Sequence, residues 1–147
     1  MKTAGVIGAG NANTQLLELA EKVGRLLARN GFIVITGGLG GVMEAASRGV
    51  CAEGGITVGL LPTDSKADAN PYVKIPIPTG LGEIRNALIV RASDILIAIG
   101  GQYGTLSEIA LALKTGKKVI GLNTWHIPGI IKATSAEDAV DIALKLL

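Results

Sequence analysis

Two stretches of the chain join glycine to hydrogen-bonding groups at spacings suited to an anion: Gly37-Gly38-Leu39-Gly40-Gly41 and Gly100-Gly101-Gln102-Tyr103-Gly104. Both read GGxxG, both follow an apolar run, and each has a glutamate early in the helix predicted next, Glu44 and Glu108. A third turn, Gly8-Ala9-Gly10, ends the first apolar run. Glycine admits positive φ and lets a ligand approach without a Cβ in the way. The helix after such a turn leaves its first N–H groups free, and its dipole favours negative charge there. The Thr105 hydroxyl adds a donor. The expected cradle comprises Gly8, Gly10 and Asn11 of the first turn and Gly37, Gly38, Gly40 and Gly41 of the second. The third turn adds Gly100, Gly101, Gln102, Tyr103, Gly104 and Thr105. The plain alternative is that glycine merely makes tight strand-to-helix turns, but three on one predicted edge favour a shared anionic ligand. Glu108 is electrostatically awkward beside a phosphate. It is either a solvated helix residue or it faces a sugar. There it would accept hydroxyl hydrogen bonds, or stabilise a cationic transition state if a glycosidic bond breaks.

Other chemistries fit less well. The residue three after Gly10 is Asn13, so G-x-G-x-x-G is incomplete. Ile35 leads into Thr36 and Gly37, with no acidic residue to take a ribose, which argues against an ordinary NAD site. No G-K-[ST] occurs, and no His, Cys, Asp and Glu residues share metal-ligand spacing, so no protein-bound metal is expected. His126, in Asn-Thr-Trp-His-Ile-Pro after a strand end, reads as structural, although it is placed to reach a site rim; Trp125 suits a pocket or an interface. Cys51, near a helix end, is expected to be packed and reduced.

These groups must be positioned by alternating strands and helices. Residues 3–11 read as a strand ending in a glycine turn. The helix about Gln15–Arg29 follows, with Asn13 or Thr14 as cap and Leu16, Leu19, Ala20, Val23, Leu26 and Leu27 at helical spacing. Asn30-Gly31 stops it. Residues 32–38 form a fully apolar second strand, a helix runs about Val42–Ala52, and residues 56–62 form a third strand closed by Pro62. Pro76 and Pro78 lie two apart in an extended run, so both missing N–H groups face one side. That segment belongs at a sheet edge or in an irregular connection. Residues 81–93 read as helix, 94–99 as strand, about Thr105–Thr115 as helix, and 117–122 and 130–134 as strands. A last helix is capped by Ser135, with Asp138 three residues on. Strands without alternation, separated by helices, are parallel and buried on both faces. The expected fold is a three-layer, Rossmann-like, doubly wound α/β sandwich, one nucleotide-binding domain over residues 1–147.

Composition narrows the partners. A net charge of +2, from 14 basic and 12 acidic residues, is too mild to imply nucleic acid. Aromatics at 3% are too few to stack several bases. No apolar run is long enough to span a membrane. The first residues lack the apolar stretch and cleavage site of a signal peptide, and one cysteine builds no disulfide framework, so a cytoplasmic protein is expected.

The stretch Gly100–Glu108 resembles the PGGxGTxxE signature of the Lonely Guy (LOG) proteins, of the lysine-decarboxylase-like SLOG superfamily, and Thr36–Glu44 resembles their GGxxGLMG turn. Arg85 lies 23 residues before Glu108, as in that family. The resemblance runs from Gly5 to about Asn123. Within the superfamily, residues 69–113 are similar to the short branch that includes the molybdenum-cofactor carrier proteins, itself related to DNA-processing protein A. LOG enzymes cleave nucleoside 5′-monophosphates to base and ribose 5-phosphate. The resemblance therefore implies that Arg85 orients substrate, Glu108 stabilises a ribosyl cation, and Gly101, Gly104 and Thr105 cradle phosphate. Arg91, six residues after Arg85, shares no helix face with it and reads as a surface charge. This chain departs from the LOG pattern at Gly100 (proline), Gln102 (glycine), Asn86 (lysine) and Glu44 (glycine). Those changes weigh against catalysis more than against binding. The first expectation is a carrier or sensor for a phosphorylated nucleotide or molybdopterin-type ligand, with no tightly required cofactor; the alternative is a phosphoribohydrolase using Arg85 and Glu108. The resemblance also implies a homodimer or homotetramer paired through the helices at Glu83–Ser93 and Thr105–Thr115.

Overall fold

The computed structural model describes all residues, Met1–Leu147. Its strands are β1 (Thr3–Gly8), β2 (Ile33–Thr36), β3 (Thr57–Leu61), β4 (Ile75–Pro78), β5 (Ile95–Ile99), β6 (Lys118–Leu122) and β7 (Ile130–Lys132). They form one sheet in the order β4-β3-β2-β1-β5-β6-β7, and every pair is parallel. The helices are α1 (Thr14–Arg29), α2 (Val42–Ala52), α3 (Arg85–Ala92), α4 (Tyr103–Lys114) and α5 (Ala136–Leu146). The three-layer, Rossmann-like arrangement follows from the strand sequences. All five residues of β5 are buried, because helices cover both faces of a central parallel strand. One core joins α1, α2 and α5 to the sheet through Val6, Val23, Ile97 and Ile99; the other joins α3 and α4 through Ile7, Ile89, Leu96 and Ile109.

Strand order reverses between β1 and β5, where open α/β sheets hold their ligands. Gly8 is the register partner of Ile99, so these strands end level and their glycine turns leave the sheet side by side. Local chemistry fixes the elements around this point. The Asn13 side chain accepts from the Leu16 N–H and starts α1. Gly24 lets α1 lie against α2, since a Cβ there would sit 2.1 Å from the Ala46 carbonyl oxygen.

Several boundaries differ from the sequence reading. Helix α4 begins at Tyr103, so Gly104 lies inside its first turn; a short 3₁₀ turn, Gly82–Ile84, precedes α3. The Pro76–Pro78 segment lies at the sheet edge, as its prolines predict, and is a regular strand paired with β3. Cys51 is exposed, not packed: it lies on the outer side of the last turn of α2, away from the buried Ala46 and Val50. Arg91 is exposed. No helix is long and apolar enough to cross a membrane.

Candidate functional site

The turns after β1 and β5 wall a cleft of about 400 Å³, within the range usual for small-molecule sites. Gly8, Gly10 and Asn11 line it from the first turn, and Gln102, Gly104, Thr105 and Glu108 from α4 and the turn before it. Helix α3 contributes Arg85, Asn86 and Ile89. The second glycine turn supplies only Gly37, with Met43 following from α2.

The amides of Gly10, Asn11, Gly104 and Thr105 find no hydrogen-bond partner within the fold. Gln102 leaves α4 without a side-chain cap, and the first helical N–H in use is that of Leu106, donating to the Gln102 carbonyl. Open helix N-termini of this kind attract anions. Helix α2 differs, because the Val42 N–H already donates to the Ala9 carbonyl at 3.0 Å. A Cβ on Gly10 or Gly104 would meet nothing within 4 Å, so glycine there keeps the cleft roomy.

Arg85 and Glu108 bring charge into this space, and both are buried. One guanidinium NH₂ group of Arg85 donates to the Leu60 carbonyl at 3.0 Å, while its Nε has no partner. An orphaned buried donor is costly unless a ligand satisfies it. Arg85 reaches this position because residue 37 is glycine: a Cβ there would lie 1.8 Å from the guanidinium nitrogen. Burial pulls the Arg85 pKa below its ordinary value, and Glu108 opposes that shift. Burial pushes the Glu108 carboxyl up to about 8, with Arg85 acting the other way, so at neutral pH it is chiefly protonated. The acid that looked awkward beside a phosphate is therefore mostly uncharged in the free cleft, and Arg85 dominates its electrostatics.

A family model described as SLOG cluster4 matches residues 1–145. The chain belongs to the SLOG cluster4 family. An uncharacterised protein from Archaeoglobus fulgidus is 49% identical over 141 residues, spanning 95% of this SLOG cluster4 chain and 93% of the relative. The molybdenum cofactor binding protein of the phototrophic bacterium Rippkaea orientalis superimposes with a TM-score of 0.94 at 36% identity, covering 99% of this chain and 96% of that one. The molybdenum cofactor carrier protein of Chlamydomonas reinhardtii gives 0.88 at 32% identity, over 99% and 97% of the two chains.

The remaining anticipated residues fall outside the lining of this SLOG cluster4 cleft. Gly38, Gly40, Gly41, Gly100, Gly101 and Tyr103 do not line it. Gly41 has φ 64° and packs against the Ala9 and Gly10 backbone, bracing one glycine turn on the other. Gly100 has φ 57°, which a proline ring forbids, and its N–H donates to the Leu122 carbonyl; the LOG signature proline does not suit this turn. Tyr103 is 81% exposed. Glu44 lies beside the neighbouring Gly10–Asn11 surface rather than in the cleft, and Asn86 lines the cleft where LOG proteins have lysine. His126 and Trp125 sit beyond it on the loop after β6.

Sequence reasoning missed Asn70. Its side-chain amide donates to the carbonyls of Leu39 at 2.9 Å and Gly38 at 3.3 Å, and its own N–H donates to Gly38 at 2.9 Å. It thereby clamps the turn that makes room for Arg85. No local pattern marks it, because its partners lie over 30 residues away. Met43 and Ile89, also in the lining, read in the sequence only as apolar helix residues.

Proposed function

We propose that the cleft holds a phosphorylated small molecule of pterin or nucleotide type and that the protein is a carrier or sensor for it. The observation behind this reading is the pairing of unengaged amides at Gly10, Asn11, Gly104 and Thr105 with the partnerless Nε of Arg85. The cofactor named for the Rippkaea and Chlamydomonas relatives suits such a lining: the amides and Arg85 would hold its phosphate, Met43 and Ile89 offer apolar surface to a pterin ring, and Glu108 and Asn86 line the same cleft. A protonated Glu108 adds no charge repulsion to an incoming anion and offers it a donor. Any redox chemistry would be the cofactor's own; the chain's part is to bind, orient and shield.

The second reading, a phosphoribohydrolase, draws on Arg85 and Glu108 sharing one cleft. It asks Glu108 to be an anion facing a developing cation, whereas burial keeps most of it neutral at pH 7. One experiment separates the two. Titration with molybdopterin-type cofactor should give saturable binding that Arg85→Ala weakens at least about tenfold, the scale of a lost charge-assisted hydrogen bond. Incubation with AMP should release no adenine. Adenine release that Glu108→Ala abolishes would replace the carrier with the hydrolase.

A homodimer or homotetramer joined through α3 and α4 belongs to the same reading. Ile84, last residue of the 3₁₀ turn before α3, is 73% exposed, Leu81 ahead of that turn and Leu88 within α3 are exposed too, and Arg85 opens α3. The lone, exposed Cys51 suits a reducing compartment such as the cytoplasm.

A further inference from the structure

Strands β6 and β7 are parallel neighbours, yet residues 123–129 join them without a helix. Parallel strands ordinarily need a crossover of a dozen or more residues, whose helix covers the sheet. Here the loop itself takes the helix's place, packing Trp125 and Ile127 against the core beside α4, and a second cleft of about 360 Å³ lies along it. It shares no lining residue with the first. Its walls are Asn123, Trp125, His126 and Lys132, over a floor that includes Gly121 and Ile130. A Cβ on Gly121 would come within 2.8 Å of the Ile130 and Thr124 side chains, so the loop closes down this far only over glycine.

Three features define what fits. No carboxylate lines the cleft, whereas a lysine and an imidazole do, so the lining favours an anion. The indole N–H of Trp125 is already spent, donating to the Gln102 carbonyl at 3.1 Å, which leaves the ring surface as what Trp125 offers a ligand. The loop is held in place, because the Thr124 hydroxyl also donates to the Gly100 carbonyl and Tyr103 packs on Trp125 with ring centroids 6.1 Å apart. We propose that this second cleft binds an aromatic phosphate of nucleoside-monophosphate size, its ring against Trp125 and its phosphate at Lys132 and His126.

Trp125 is the chain's single tryptophan, so its emission reports on this loop. Guanosine 5′-monophosphate is the probe, with guanosine and inorganic phosphate as its two halves. The nucleotide should quench Trp125 saturably in the wild type and with an equal midpoint in Arg85→Ala, which weakens the first cleft. Lys132→Ala should raise the midpoint about tenfold, as should removal of the phosphate, and inorganic phosphate alone should bind more weakly than the nucleotide. Lys132 is exposed on an edge strand, so its truncation leaves the fold intact. Absence of saturable quenching would overturn the proposal. So would a midpoint that rises in Arg85→Ala and stays put in Lys132→Ala, because the signal would then come from the first cleft through Gln102. Cofactor binding at the first cleft is scored separately, so either site can fail alone.

Discussion

Arg85, Gly37 and Glu108 act as one unit. The guanidinium occupies the volume a side chain at position 37 would take, and the carboxyl nearby is kept mostly protonated by burial. Gly37 has no positive φ, so Gly37→Ala strains no backbone; its methyl group meets the flexible ends of Arg85 and Met43. The variant should fold, push Arg85 off the Leu60 carbonyl, and weaken anion binding about tenfold in calorimetric titration, matching Arg85→Ala. Wild-type affinity would show that the guanidinium position does not matter. Glu108 also sets a pH dependence of stability. Its folded pKa of about 8 lies above the ordinary 4.5, so between those values the native state holds a proton the unfolded chain has released. Stability is therefore full below the lower value and falls as pH rises through this window. From about pH 5 to about pH 8 the wild type should lose roughly 3 kcal/mol relative to Glu108→Gln, which is neutral throughout, as read by thermal melts of both. Parallel curves would mean Glu108 ionises normally. The sequence exposed Glu108 as an anomaly, but its protonation was not legible, because desolvation depends on what packs around it.

Among the elements, the glycine turns look alike in sequence and differ in use. The turn before α4 keeps its amides open, while the Ala9 carbonyl occupies the first amide of α2. Nothing in GGxxG distinguishes the two, since the difference arises from Gly41 resting on Gly10 across the sheet tip. Strand and helix positions were legible because hydrophobic period and glycine punctuation are local signals. Asn70 was not, since its role exists only once distant segments meet. Asn70→Ala should cost about 1–3 kcal/mol by leaving the Leu39 carbonyl unpaired, and should shift the NMR resonances of Gly37–Gly41. Asn13→Ala should cost about 1 kcal/mol through loss of the α1 cap and leave those resonances in place. Equal shifts in both variants would remove Asn70 from its role as a clamp.

At the scale of the molecule, the reversal of strand order between β1 and β5 gathers the residues of the first cleft from the turns after β1, β2 and β5 and from helices α2, α3 and α4. Parallel pairing was legible from unbroken apolar strands such as β5, and so was the helix-free β6–β7 connection, since residues 117–122 and 130–134 read as strands with no helical stretch between them; the second cleft was not, because it forms only where that loop folds back over Gly121. If α3 joins subunits, Ile84→Glu should reduce the light-scattering mass to the 15.0 kDa of one chain, and an unchanged multiple would place the contact elsewhere. The outer rim of the sheet has a consequence of its own. Ile75, Ile77 and Thr79 turn their N–H groups toward β3, so Pro76 and Pro78 present ring carbons where an arriving strand would seek hydrogens. Cross-β stacking cannot spread from that margin, and the opposite margin, β7, is only three residues long. Both margins of the sheet thus resist fibrillar growth.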